Sequence, residues 1–163
     1  IFVPYLLAFG HTVVGNHGDA LRILSQTGQP DTMINDTLRH AADFEAYATF
    51  INATYAYGDL ETAERLAELM FDPDMDVSMD WWYTYLESCA LAILGRKDEA
   101  INVFSELEYS PQIPWEPYLR DAVCMKLLDD RPEYDQTLEH VRSRKRELRE
   151  KLPMTLRKFG VRL

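Results

Sequence analysis

The residues best suited to acid–base or metal chemistry in this chain are its four histidines: His11, His17, His40 and His140. No two of them are three or four residues apart, the spacing at which one helix presents two ligands to a metal. None stands near a Gly-flanked serine, and the sequence contains no Gly-rich phosphate-binding loop. We therefore predict that this chain is not an enzyme and holds no catalytic, metal-binding or cofactor-binding residue.

The two cysteines, Cys89 and Cys124, stand within apolar stretches. Their spacing fits no zinc motif, and two cysteines make no disulfide framework. We therefore expect two buried free thiols in a reducing compartment, which agrees with a cytoplasmic location.

The acidic segment DPDMDVSMD, residues 72–80, resembles the start of a calcium-binding loop. Such a loop needs a glycine at its sixth position and an acid at its twelfth, and these places hold Val77 and Tyr83. Pro73 also stiffens the start of the segment. We therefore interpret it as a loop between helices whose acids and Ser78 cap the next helix.

Composition and charge limit the class of partner. The chain has 163 residues, of which 47% are apolar, and no apolar run is long enough for a membrane span. Residues 139–163 hold nine basic and three acidic residues, whereas the formal net charge of the whole chain is −10. An acidic body argues against nucleic-acid binding, and we predict no membrane contact by this segment. We also expect the chain, which opens at Ile1, to be a piece of a longer protein.

A short signal, a glycine followed five residues later by an alanine, occurs three times: Gly15 with Ala20, Gly58 with Ala63, and Gly95 with Ala100. Apolar residues at three- and four-residue steps lie before and after each copy, which predicts a helix on either side. Only glycine takes a left-handed turn cheaply, so it ends the first helix. Asp19, Asp59 and Asp98 suit the start of the second helix. The small alanine lets the two helices approach, and neighbouring hairpins must stack to bury their apolar faces.

The middle unit is similar to the tetratricopeptide repeat in these positions: Tyr47, Phe50, Tyr55, Gly58, Asp59, Ala63 and Pro73. The third unit departs from that pattern at Glu87 and Ser88, and the first has Pro4 in place of the family's aromatic residue. The resemblance implies an all-α fold, a right-handed αα-superhelix of degenerate hairpins. We place the repeats at about 1–29, 43–75 and 79–111 in one domain that spans 1–163.

The C-terminal third lacks the Gly–Ala signal. Prolines end the third repeat, after which the pattern predicts helices over 117–128 and 133–151, with Pro153 as the stop. We interpret residues 115–152 as a capping hairpin.

The segment from LGRKDEA, which begins at Leu94, to REKLP, which ends at Pro153, is similar to helical-repeat regions of bacterial signalling proteins. In those proteins the repeats follow a class III nucleotide cyclase domain or a winged-helix DNA-binding domain. The resemblance implies a non-catalytic module that binds a protein or peptide partner or senses a signal. The alternatives are the C-terminal part of an adenylate or guanylate cyclase, and a homodimerisation unit.

The dense aromatic segment WWYTYLE, residues 81–87, suggests where a partner binds. In the family that this chain resembles, the first helix of each hairpin lines a concave groove. Helical phase puts Trp82 and Tyr85 on one stripe, and unit two supplies the rest of the candidate groove: Glu45, Asn52 and Tyr55. The alternative is that the tryptophans and Tyr85 only pack between units two and three.

Two further stretches are candidate surfaces. Phe2, Tyr5 and Phe9 share one helical face, which we predict to be a self-association face. The basic stretch at 142–151 lacks interleaved aromatic residues, so we expect it to be a solvated helix face that pairs with the acidic body.

Overall fold

The computed structural model describes residues 3–27, 41–71 and 81–160. These residues contain no strand, so the predicted all-α class is confirmed. Short 3-10 segments lie at Leu69–Phe71, Glu106–Tyr109 and Met125–Leu128. The α-helices of the described residues are α1 (Val3–Val13), α2 (His17–Ser25), α3 (Ala41–Tyr57), α4 (Leu60–Glu68), α5 (Trp81–Ile93), α6 (Lys97–Ser105), α7 (Glu116–Asp121) and α8 (Pro132–Lys158).

The three predicted glycine turns are confirmed. Gly15, Gly58 and Gly95 follow α1, α3 and α5 and have φ values of 85°, 96° and 74°. In each turn the residue after the glycine donates its N–H to the carbonyl five residues earlier, at 2.8, 3.2 and 2.9 Å. The glycine donates to the carbonyl three residues earlier, which completes a Schellman motif and satisfies the last carbonyls of the helix.

The acid predicted to start each second helix takes two different positions. Asp59 directly follows its glycine and caps α4, and its carboxylate accepts the N–H of Thr62 at 3.2 Å. Asp19 and Asp98 stand further from their glycines and lie in the first turns of α2 and α6. They still lie where the helix dipole favours a negative charge.

The alanine of each signal is completely buried, as expected: Ala20, Ala63 and Ala100. The helices of a hairpin approach closely enough for side chains of the first to bond the backbone of the second. Ser88 on α5 donates to the carbonyl of Ala100 on α6 at 2.9 Å, and Tyr47 on α3 donates to the carbonyl of Leu66 on α4. Ser88 therefore joins the two helices of the third hairpin by a hydrogen bond.

The helices pack in chain order. α3 packs against α1 and α2 on one side and against α4 and α5 on the other, and α5 packs against α6. A small buried cluster around Leu24 and Phe50 joins the first two hairpins, and a larger cluster extends from Phe9 to Val141. Each hairpin thus covers the apolar face of its neighbour, as a stacked repeat requires.

The C-terminal region differs from the predicted hairpin. α7 ends at Asp121 instead of continuing to Leu128, and α8 runs through Pro153 to Lys158. Our expectation that Pro153 ends the helix was wrong. A proline deletes one backbone hydrogen bond, and the carbonyl it leaves lies on an exposed stretch where water can reach it. The helix ends instead at Lys158, and Gly160, two residues later, has a φ of 74°.

We expect Gly95→Ala to lower the free energy of unfolding by about 1 to 2 kcal/mol, because the backbone of Gly95 has a left-handed conformation that alanine adopts only at a cost. No atom lies within 4 Å of a Cβ built there, so the cost is that of the backbone alone. Gly10→Ala is the matched control, since Gly10 lies inside α1 with equally open space. That change should raise the same free energy by about 0.5 to 1 kcal/mol. Urea unfolding measures both, and two changes of the same sign would contradict the assignment.

Candidate functional site

The structure brings Asn52 and Trp82 of the candidate groove into contact with Tyr85 of the same groove. Asn52 and Tyr85 are buried, and Trp82 and Tyr55 are partly buried against the core. Glu45 lies in α3, but its side chain is outside the described residues. The two buried side chains therefore contact the chain itself in this structure and are not open to a partner.

Asn52 is the polar centre of this buried region. Its Nδ2 donates to the carbonyl of Ala48 at 2.9 Å, to Tyr85 Oη at 3.4 Å and to Cys89 Sγ at 3.3 Å. Its Oδ1 accepts the N–H of Cys124 at 3.0 Å. The amide has two hydrogens for three acceptors, so its contacts are shared, and the side chain links α3, α5 and the segment after α7.

Tyr85 lies beside Asn52 as a neutral phenol. Burial raises the pKa of Tyr85 far above its ordinary value, and the hydrogen bond from Asn52 opposes this only in part. A phenol with a raised pKa stays protonated near neutral pH and does not act as a base there. The Asn52–Tyr85 pair therefore has a packing and hydrogen-bonding role.

The two cysteines form a disulfide, so our expectation of free thiols was wrong. Cys89 on α5 and Cys124 after α7 are both completely buried and have Cα atoms 5.2 Å apart. They are separated by 35 residues in the chain, and neither lies in a motif that would indicate a pair. The fold juxtaposes them because the segment 122–124 passes directly over α5. This bond also removes our reason for assigning a reducing compartment.

Tyr118 on α7 is the centre of an aromatic cluster that covers the stripe. Its ring centroid lies 4.8 Å from that of Trp82 and 5.9 Å from that of Tyr85. It also lies 4.1 Å from Phe9 and 5.0 Å from Trp115. Tyr118 therefore covers Trp82 and Tyr85, which agrees with the packing alternative for these aromatic residues.

Of the predicted self-association face, the structure buries Phe9. Phe9 is buried under Tyr118, Tyr5 packs partly buried on the smaller cluster, and Phe2 is outside the described residues. The rings of Trp115 and Tyr118 lie against Phe9, so the C-terminal segment contacts α1. A different face of α1 is exposed and apolar, and its first turns carry Val3, Leu6 and Leu7.

The basic stretch contains both paired and unpaired cations. Arg142 pairs with Glu116 at 2.9 Å, and Arg144 donates to the carbonyl of Glu108 at 3.1 Å, so part of it does bind the acidic body. Lys145 and Arg149 form no ion pair with any described residue. These two cations border an apolar groove beside α8, which the charge pattern of residues 142–151 does not indicate.

Two other predictions concern residues that are not described. His40 and the acidic segment at 72–80 fall outside the described residues. Across the part of the chain that is described, no group of three or more acids, histidines and cysteines is arranged to hold a metal ion. In the same part, no helix combines the length and the apolar character that a membrane crossing requires.

No protein-family model, curated protein or solved structure matches this chain. The resemblance to tetratricopeptide repeats therefore stays a prediction from the residues named above.

Proposed function

We propose that this chain is a tetratricopeptide-like module, a right-handed superhelix of hairpins, that binds a protein partner without chemistry of its own. The three Schellman turns, each followed by a buried alanine, support the repeat, as does the packing of each hairpin on the next. Its place in a larger bacterial signalling protein is carried over from the sequence resemblance alone.

One observation carries the proposal. Among the described residues, groups of exposed large apolar side chains include one on α1 at Leu6 and Leu7 and one on α8 at Leu148 and Leu152. Contiguous exposed apolar patches on a folded protein mark surfaces that bind other molecules. Because Tyr118 covers Trp82 and Tyr85 of the candidate groove, the proposed partner surfaces lie on these outer helices.

Photo-crosslinking in the natural full-length protein tests this function. A photoreactive residue at Leu7 or Leu152 should crosslink to a second polypeptide of defined mass. The control is Leu60, which is half exposed but lies apart from both groups. Equal crosslinking from Leu60, or none from either test position, would reject the proposal.

A cytoplasmic location, which we expected from free thiols, belongs to the same proposal. Reducing systems in the cytoplasm keep most thiols free, whereas this structure has Cys89 and Cys124 joined. Alkylation in denaturant at the moment of cell lysis, which exposes the buried cysteines, followed by mass spectrometry, measures which form exists in the cell. Fully alkylated cysteines support the cytoplasm, and a retained disulfide argues for an oxidising compartment.

A homodimer is the second candidate function, favoured by the exposed face of α1 with Val3, Leu6 and Leu7. Two copies could bury these side chains against each other in an isologous contact. Sedimentation equilibrium should then give a mass that rises with concentration, and Leu7→Glu should keep the protein monomeric. Leu60→Glu is the control, and a mass that does not change with concentration would exclude the dimer.

A further inference from the structure

The C-terminal half of α8 forms one wall of a groove of about 440 Å³, here called the α8 groove. Its apolar lining comes from Leu148 and Leu152 on α8 and from Ile113 in the segment before α7. Leu148 and Leu152 are 54% and 51% exposed, although they stand one helical turn apart on a single face. The groove is therefore an apolar surface in contact with water.

The rim of the α8 groove is basic. Lys145, Arg149 and Lys151 all border it. Lys151 pairs with Glu147 at 3.5 Å, but Lys145 and Arg149 have no ion-pair partner among the described residues. Two cations one turn apart, next to two leucines one turn apart, present a charge that an acidic ligand would neutralise.

We propose that the α8 groove binds an acidic amphipathic helix of a partner protein, which rests on the proposed function of a protein-binding module. Two apolar side chains at i and i+4 of that helix contact Leu148 and Leu152. Carboxylates on either side of them pair with Lys145 and Arg149. The lining from Lys145 to Thr155 is roughly 15 Å long at the rise of an α-helix, which matches two to three turns of a docked helix.

The shape of the groove favours a helix over a membrane. Ile113 stands beside α8, so the apolar surface is concave, whereas a bilayer is flat and needs an unobstructed helix face. Glu147 and Glu150 also interrupt the basic field that would attract anionic lipid. A second copy of α8 is disfavoured because it would bring Lys145 and Arg149 against the same cations.

Fluorescence anisotropy with a designed peptide tests the proposal on the full chain. The probe is a labelled synthetic helix of about four turns with leucines at i and i+4 and glutamates beside them. It should bind, and its affinity should fall as salt rises, since ion pairs at the rim are screened. A version with lysine at each glutamate position should bind at least about tenfold more weakly.

Two variants locate the site. Leu152→Asp and Arg149→Glu should each lower the affinity of the chain for the glutamate peptide by about tenfold or more. Leu60→Asp makes the same change as Leu152→Asp, and Lys126→Glu reverses a positive charge as Arg149→Glu does. Both control residues are exposed and do not line the groove, so affinity should be unchanged. Circular dichroism should show the same melting curve for all four, because each residue is exposed.

Several results would overturn the proposal. Equal binding of the glutamate and lysine peptides, or full binding by Leu152→Asp, rejects an acidic helix in this groove. If the chain binds phosphatidylglycerol vesicles but not the acidic peptide, α8 is a membrane surface. If the chain self-associates, and Leu152→Asp abolishes this association while Leu60→Asp does not, a second copy fills the groove. Crosslinks from Leu7 would still support the protein-binding function in any of these cases, so the two failures are distinguishable.

Discussion

Tyr118→Ala is expected to lower the free energy of unfolding by about 3 to 5 kcal/mol, because it removes a large aromatic side chain from the core. Tyr118 is 1% exposed, and its ring contacts those of Phe9, Trp82 and Tyr85. These rings belong to α1 and α5, so a single side chain on α7 fills the space between the first and third hairpins. The cavity left by alanine has walls on three elements and cannot collapse fully.

Urea unfolding followed by circular dichroism measures this loss. The control is Tyr109→Ala, which makes the same change at a side chain that is 83% exposed. We expect it to change the free energy of unfolding by less than about 0.5 kcal/mol. Similar losses for the two variants would show that α7 does not pack over the aromatic stripe as described.

Reduction of the Cys89–Cys124 disulfide has the second largest expected effect. The bond closes a loop with a sequence separation of 35 residues. In the chain-entropy account, a loop of this length stabilises the folded state by about 3 to 4 kcal/mol. Reduction also changes the sulfur that accepts a hydrogen bond from Asn52. We therefore expect a lower midpoint of urea unfolding in the presence of a reductant.

The control for reduction is the double variant Cys89→Ala with Cys124→Ala. Its unfolding curve should be the same with and without reductant, which separates loss of the bond from other effects of the reagent. Iodoacetamide alkylates only free thiols, so it should label neither cysteine of the oxidised chain, in which both sulfurs belong to the disulfide. A wild-type midpoint that reductant leaves unchanged would show that the bond does not stabilise the fold.

Both predictions act on the same part of the molecule. Tyr118 and Cys124 belong to the segment that folds back over α5, one through its ring and the other through a covalent bond. Asn52 adds a hydrogen bond to the backbone of this segment. The ring contact of Tyr118, the disulfide and the hydrogen bond from Cys124 to Asn52 make the stripe of Trp82 and Tyr85 part of the packed interior. The partner surface that we propose therefore lies elsewhere.

The hairpins could be predicted from the sequence because their signals are local. Gly58 ends its helix through its own φ angle, and Asp59 caps the next helix through a contact three residues away. Ala63 is buried because a small residue one turn into that helix allows close approach. The periodicity of apolar residues sets helix type without knowledge of the rest of the chain.

The course of α8 past Pro153 could not be predicted in this way. Proline inside a helix breaks it where no other group satisfies the freed carbonyl. Whether water reaches that carbonyl depends on the exposure of the surrounding turns, which is a property of the whole fold.

The candidate site divides along the same line. Helical phase places Trp82 and Tyr85 on one stripe, and the structure has their rings 6.0 Å apart. The cover over that stripe comes from Tyr118, and the partner of Cys89 comes from Cys124, both more than thirty residues along the chain. The spacing of Leu148 and Leu152 is visible in the sequence, but the opposite wall at Ile113 is not. Contacts within a few residues follow from backbone geometry and side-chain size. Contacts between distant segments depend on how the hairpins stack, and that stacking buried Asn52 and Tyr85 of the predicted groove and left the α8 groove open.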